Sequence, residues 1–387
     1  ATTPLREEVR AAWLEALGSP RGNPSSVHAS GRAARHLLDE ARERIAAALG
    51  VGEEEVVLTS GGTESNNLAL LGVLGAHPAG REAGLVTTAV EHSSVLGPAR
   101  RLARAGHPVE VVGVDEAGRV DPAEVVERAR RCRAALVSVQ AANNEVGTLG
   151  PLAALGDDLA AGGPEPRPWL HTDAVQALGR VPLELAPWGV DLVTLSAHKL
   201  GGPVGVGVLV RRGAVPLQPL LAGGEQEGGL RPGTEDVAGA VAAAVAVELA
   251  VAERDAHAAR LRELEGQLWS DLAARVPGVR LLGPPPTSPE RLPGTLNVLL
   301  PGVEGKVLVT RLDLEGLEAS AGSACASGSL EPSHVLLAMG LGEDEARAGL
   351  RLSLGRTTSW ADVRQAVDIL VKTAGGTGAK RWGCAGL

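Results

Sequence analysis

Val190-Asp191-Leu192-Val193-Thr194-Leu195-Ser196-Ala197-His198-Lys199 reads as a buried strand that carries one lysine to its carboxyl end. Gly201-Gly202-Pro203 follows, a turn that keeps the neighbouring space open, and then a second apolar run, Val206-Gly207-Val208-Leu209-Val210. A lysine in that position is costly to bury unless it is paired or used covalently. Desolvated, it becomes a nucleophilic amine able to form a Schiff base. A surface lysine with its ammonium in water is the plain alternative. Composition weighs against the plain reading. The chain has 37 Lys and Arg, yet lysine occurs only at Lys199, Lys306, Lys372 and Lys380. Arginine supplies ordinary positive charge almost everywhere, and arginine cannot make a Schiff base.

Working outward from Lys199, strands and helices alternate. Short apolar runs at 56–58, 85–90, 109–114, 135–139 and 169–172 predict strands, and each is followed by a helical pattern or a polar loop. Asp121-Pro122-Ala123-Glu124 has the cap, first-turn proline and acidic residue of a helix start. Repeated βα units predict an α/β fold with a mostly parallel, doubly wound sheet, whose ligands bind at the carboxyl ends of strands. His92, Asn144, Asp173, His198 and Lys199 all fall at such ends. Beyond 210 the pattern changes. A Gly-rich loop at 220–236 leads into one long helical run, 237 to about 274, whose apolar first part reads as a buried helix. The remainder predicts a smaller α+β domain with strands near 279–282, 295–300, 317–320 and 350–354. The expected organisation is a large domain over 15–256, a small domain over 257–374 together with 1–14, and a Gly-rich tail at 375–387.

Thr59-Ser60-Gly61-Gly62-Thr63-Glu64-Ser65-Asn66-Asn67 joins the first strand to an apolar helix. Glycines let a backbone approach an oxyanion, and unpaired N–H groups at a helix start point at it. The stretch lacks the Gly-Lys-Ser/Thr of a nucleotide P-loop and the Gly-x-Gly-x-x-Gly of a dinucleotide site. An ordinary helix cap by Thr63 is the competing reading.

A net charge of −9 argues against nucleic acid as the main partner. No apolar run of membrane-spanning length is present. No basic, apolar-cored leader opens the sequence, and the three cysteines, Cys132, Cys325 and Cys384, form neither a disulfide framework nor a zinc spacing. These features predict a cytoplasmic protein without a metal centre. Phe and Tyr are absent, so Leu, Val, Ala and the six Trp must fill the core. The scarce asparagines cluster: Asn23, Asn66-Asn67 and Asn143-Asn144 sit in polar loops, with Asn297 apart.

A strand-end lysine, a strand-end aspartate, an oxyanion turn and a histidine suit pyridoxal phosphate. The phosphate needs the Gly62-Thr63 helix start, the aldehyde needs Lys199, and the pyridine nitrogen needs a carboxylate, for which Asp173 is placed. With no Phe or Tyr, His92 is the flat side chain available to stack on the ring. Singly, Asp173 could be a helix cap, and His92 or His171 a satisfied core histidine.

Ser60–Asn67, Glu91-His92, Asn143-Asn144-Glu145-Val146-Gly147, His171-Thr172-Asp173-Ala174-Val175-Gln176, Ser196-Ala197-His198-Lys199, Arg231-Pro232-Gly233-Thr234-Glu235 and Ser320-Ala321-Gly322-Ser323-Ala324-Cys325-Ala326-Ser327-Gly328 together resemble the cysteine desulfurases. Those are class V aminotransferase relatives among fold-type I pyridoxal-phosphate enzymes. The cysteine loop resembles the NifS/IscS subgroup rather than the SufS subgroup. The resemblance implies a transferase that converts L-cysteine to L-alanine and carries the sulfur as a persulfide on Cys325. It implies a Schiff base on Lys199, Asp173 at the ring nitrogen, Gln176 at the ring hydroxyl, and His92 stacked and handling protons. Gly62, Thr63, Ser196 and His198 would hold the phosphate, with Thr234 reaching it from the other subunit of a homodimer. Asn144, also at the cofactor, and Arg356 would hold the substrate carboxylate. A sulfur-acceptor protein, for Fe–S clusters or thio-modification, is the implied partner. Aromatic residues usual in the family are replaced by Leu200 and Thr357. The alternatives are a selenocysteine lyase or other class V enzyme, and a non-catalytic Fe–S assembly scaffold.

Overall fold

Seven strands that the sequence marks by runs of Val and Leu form one sheet in the computed structural model, which describes residues 2–18, 22–213, 215–300, 305–322 and 331–375. They are β1 (Val56–Thr59), β2 (Gly84–Thr88), β3 (Val109–Val112), β4 (Ala134–Ser138), β5 (Trp169–Asp173), β6 (Leu192–Ser196) and β7 (Gly207–Arg211). Their order is β1-β7-β6-β5-β4-β2-β3. The pairs β6–β5, β5–β4, β4–β2 and β2–β3 are parallel. Only β7 runs against both of its neighbours, β1 and β6. Central strands such as β2, β4 and β6 are buried along their whole length, while β3 at the edge is only half-buried. Continuous apolar strands are what a sheet covered on both faces requires.

The chain divides into two compact units. The first comprises Ala1–Gly113, Val120–Ala142 and Gly150–Asp255, and it contains the seven-stranded sheet. Its core sets Leu68, Leu70, Val73 and Leu74 of helix Gly62–Ala76 against Leu85, Leu136, Leu192 and Leu209 of the sheet. Helix Val237–Ala252 is apolar on all sides and buried as expected. Its alanines let other helices come close: Val9 of helix Glu7–Gly18 packs on Ala242 and Ala246. The first unit includes the whole of helix Glu7–Gly18, whose residues up to 14 the sequence reading groups with the small domain.

The second unit comprises Val114–Arg119, Asn143–Leu149 and Ala256–Leu387. Its sheet is antiparallel, in the order β10-β11-β9-β8, with β8 (Arg280–Leu282), β9 (Thr295–Leu299), β10 (Ser320–Ala321) and β11 (Gly349–Ser353). Leu264, Leu268 and Leu272 of helix Arg254–Arg275 pack on Leu296 and Val298 of β9 and on Leu350 and Leu352 of β11. Arg291 and Glu265 form a buried pair, and Arg291 also donates to Thr295 O.

Two expectations shift. The long helical run breaks at Glu253, whose N–H closes helix Val237–Ala252 on Leu249 O, and a new helix begins at Arg254. There the Ala/Val run gives way to a charged, amphipathic one, and the chain passes into the second unit. The strand expected at 317–320 forms at Ser320–Ala321. The expected tail from 376 onward, with Cys384, lies outside the described residues, as does Cys325. No helix among the described residues is long and apolar enough to cross a membrane.

Candidate active site

At the end of β1 the chain turns through Gly61 (φ 151°) into helix Gly62–Ala76. Gly61 caps that helix without a side chain, so no cap side chain takes up the first-turn N–H groups. Gly62 is tightly enclosed: a Cβ there would lie 2.9 Å from Val175 Cγ2 and 3.6 Å from Ser196 Cβ. The turn is therefore pressed against the ends of β5 and β6, and any side chain there would have to displace Val175. Thr63 enters the helix as its second residue rather than capping it. Glu64 steadies the turn. It accepts from Ser60 N at 2.7 Å and from Arg231 Nε at 3.1 Å. Burial opposes its ionisation, but those two hydrogen bonds and the guanidinium charge hold its carboxyl below the usual range.

Asp173 ends β5 in register with Thr194 of β6, and Lys199 follows the end of β6. Both sit at the carboxyl ends of adjacent parallel strands, where an α/β sheet places its ligands. Asp173 Oδ1 accepts from Val175 N at 3.0 Å, and Oδ2 accepts from Asn66 Nδ2 at 2.7 Å. Burial pushes its carboxyl up; the Asn66 and Val175 hydrogen bonds and the charges of His92 and Lys199 pull the other way.

His92 caps helix Ser93–Arg104. Its Nδ1 accepts from Ser94 N at 3.1 Å and lies 2.7 Å from Ser94 Oγ. His198 is half-buried beside Thr2, with Nδ1 3.0 Å from Thr2 Oγ1. Its pKa is pushed down to about 4 by burial and by Lys199. Thr3 N donates to His198 O at 3.1 Å, so the first residues of the chain run alongside the lysine turn. His171 is the satisfied core histidine. It is fully buried between Ser138 Oγ (2.8 Å) and Thr194 Oγ1 (3.1 Å), and burial pushes its pKa down to about 3.

The first unit thus brings together Gly62, Thr63, His92, Asp173, Ser196, His198 and Lys199, with Gln176 half-buried just after Asp173. Thr234 is exposed on the 220–236 loop of the same unit. Arg42 pins that loop by pairing with Glu227 through two hydrogen bonds of 2.7 and 2.8 Å, and Arg231 pins it through Glu64. Asn144 and Arg356 belong to the second unit. Asn144 is half-buried, and its carbonyl accepts from Arg351 Nη1 at 3.0 Å. Arg356 is exposed, and its carbonyl accepts from Arg260 Nη1 at 2.7 Å. Cys132 is 6% exposed at the end of helix Pro122–Arg131, and burial pushes its thiol up to about 11. It is a packed, unreactive cysteine.

Three residues that the sequence reading does not single out make contacts around these groups. Asn66 and Ser94 touch Asp173 and His92, and the signal was there: a buried asparagine within a leucine-rich helix, in a chain that uses only six. Arg351, 5% exposed on β11, donates to the Asn144 carbonyl, whereas Arg356 is exposed.

The donor set fits a phosphorylated aromatic aldehyde. It offers helix-start N–H groups enclosed by glycine, an amine, a buried carboxylate and a planar imidazole. The chain belongs to the aminotransferase class-V family, whose model matches residues 1–366. Within that family it is 42% identical over 370 residues to cysteine desulfurase IscS of Dictyoglomus turgidum, covering 96% of this chain and 92% of that protein. Its fold is similar to a solved NifS-like protein, with TM-score 0.89, 34% identity and 97% of each chain covered. It is also similar to SspA, solved in complex with cysteine, with TM-score 0.76 and 32% identity, over 91% of this chain and 96% of that one.

Proposed function

We propose that this protein is a pyridoxal-phosphate-dependent cysteine desulfurase that converts L-cysteine to L-alanine and holds the released sulfur as a persulfide on Cys325. The observation that carries the reading is the meeting of Asp173, His92 and Lys199 at the carboxyl ends of parallel strands, with the buried Asp173 carboxyl held by Asn66 and Val175 N. The similarity to IscS enzymes supports the choice of substrate. When bound, the cofactor supplies an electron sink conjugated to the substrate's reacting carbon.

The chain's own residues do the rest. Lys199 would hold the aldehyde, and Asp173 would keep the ring nitrogen protonated. His92 would stack on the ring, Gln176 would bond its hydroxyl, and the Gly62-Thr63 helix start with Ser196 and His198 would bind the phosphate. In the second unit, Asn144 and an arginine would orient the substrate carboxylate through a planar fork. Arg351 is the better-supported arginine, because it is buried and bonded to the Asn144 turn, whereas Arg356 is exposed. Cys325 as thiolate attacks the substrate sulfur. The carbon–sulfur bond breaks, a proton goes to that carbon, and alanine leaves with the sulfur retained on the enzyme. Thr234, exposed on a loop pinned by Arg42–Glu227 and Arg231–Glu64, would reach the phosphate of a second subunit. A cytoplasmic homodimer that hands sulfur to an Fe–S scaffold or thiolation protein completes the reading.

The test is sulfide and alanine release from L-cysteine, with and without reductant. Stoichiometric alanine without sulfide in the absence of reductant, with the extra sulfur on the Cys325 peptide by mass spectrometry, is the expected outcome. Cys325→Ser should bind the cofactor and fail to turn over. Wild-type sulfide release by that variant would replace this reading with direct elimination by a lyase.

A further inference from the structure

Asn66 lies on helix Gly62–Ala76 with no exposure at all. Its single Nδ2 group donates twice, to Asp173 Oδ2 at 2.7 Å and to Ser94 Oγ at 2.8 Å. Both amide protons are thereby spent, while the buried Oδ1 has no hydrogen-bond partner among the described residues. Leaving a buried acceptor unpaired is costly, so the two donated bonds have to outweigh it. Turning the amide over would set an oxygen against the Asp173 carboxylate, so the orientation follows from the partners.

The proton directions then follow along the chain of contacts. Ser94 Oγ accepts from Asn66, so its own proton is available to His92 Nδ1, 2.7 Å away. Ser94 N also donates to that Nδ1 at 3.1 Å. An atom that receives two donors carries no proton itself. Neutral His92 therefore bears its proton on Nε2, and an imidazolium would set Nδ1–H against Ser94 N–H.

We propose that Asn66 is a positioning residue with two tasks. It holds Asp173 as an oriented carboxylate, and through Ser94 it locks His92 as the Nε2–H tautomer. In the resting site His92 then offers a proton rather than a lone pair. The proposal rests on the cofactor reading for its consequence, but its geometry belongs to the protein alone. An amide is required: leucine would leave both Asp173 and Ser94 short of a donor, and aspartate would face Asp173 with like charge.

The test uses the cofactor-free chain with ¹⁵N-labelled histidine, and pyridoxal phosphate as the titrant. In the unaltered protein at neutral pH, His92 should show an unprotonated Nδ1 and a protonated Nε2. A protonated Nδ1 overturns the proposal. Asn66→Ala should shift the His92 Nδ1 resonance and weaken pyridoxal phosphate binding by about tenfold, the loss expected for a hydrogen bond to a charged group. Ser94→Ala leaves the Asn66–Asp173 bond in place, so it should shift Nδ1 while keeping the Kd within about twofold. This variant decides the matter if Asn66→Ala does not fold. A tenfold Kd change in Ser94→Ala, or unmoved His92 signals in either variant, overturns the proposal while leaving the cofactor reading intact. Failure of the unaltered protein to bind pyridoxal phosphate would instead sink the cofactor reading and leave the tautomer arm standing.

Discussion

Glu91 and Asp173 are both carboxylic acids buried at the carboxyl-end side of the same sheet, and their neighbourhoods give them opposite uses. Glu91 has no exposure, and its Oε1 accepts from Thr88 Oγ1 at 2.9 Å and from Gln140 N at 2.9 Å. Those donors tie the end of β2 to the end of β4. Burial, with a smaller push from the Asp173 charge, raises its pKa to about 8. Asp173 is buried too, though 8% exposed, and it faces His92 and Lys199 and takes a side-chain amide besides a backbone N–H. Burial pushes both carboxyls up; around Glu91 neutral donors oppose it, and around Asp173 a side-chain amide and the Lys199 charge do so as well. What differs is the partners, since desolvation acts on both.

The largest effect should come from the cationic side of the Asp173 region. Lys199→Ala should abolish the borohydride-trapped cofactor adduct and cut turnover by roughly four orders of magnitude or more, as losses of a covalent group do. A trapped adduct on another lysine would remove Lys199 from the comparison. Next in size, Asp173→Asn preserves shape and removes charge, and should lower kcat by about 10²–10⁴. Glu91→Gln makes the matching change on the other side and should leave kcat within about threefold. Equal losses for the two variants would break the contrast.

A smaller effect concerns pH. The folded Glu91 carboxyl titrates near 8 and the unfolded one near 4.5. Between those values the folded state binds the extra proton. Stability should fall as pH rises through that window, by at most about 1.4 kcal/mol per unit. Denaturant unfolding of Glu91→Gln at pH 5 and pH 8 should show that slope reduced, and an unchanged slope would mean that Glu91 is ionised in the folded protein. The smallest change expected is for Thr88→Val, which removes one neutral donor from Glu91. It should cost about 1 kcal/mol in unfolding free energy and leave cofactor binding unaltered.

Much of this site can be read along the chain because its parts lie at strand ends, and strand ends are visible as stops in apolar runs. Asp173, Lys199, His92 and the Gly61-Gly62 turn are found that way. The proposed arginine, Arg351, carries no such mark, because it sits inside a strand, where a period-2 pattern does not single out a buried arginine. Arg356, named through the family resemblance, is exposed. The helix break at Glu253 is similarly silent, since both flanking segments have helical periodicity and no glycine or proline separates them.

The sequence by itself determined the α/β class and the succession of strands along the chain, and it offered the residues whose chemistry suits the cofactor. Local patterning and short spacings carry that information. Only the tertiary structure decided that Asn66, Ser94 and Asp173 meet, that Glu91 and Asp173 are buried beside different partners, and that helix Glu7–Gly18 packs with helix Val237–Ala252. Those facts depend on which groups share a low-dielectric interior. Residues 66 and 173 lie 107 positions apart and become neighbours only when the sheet closes.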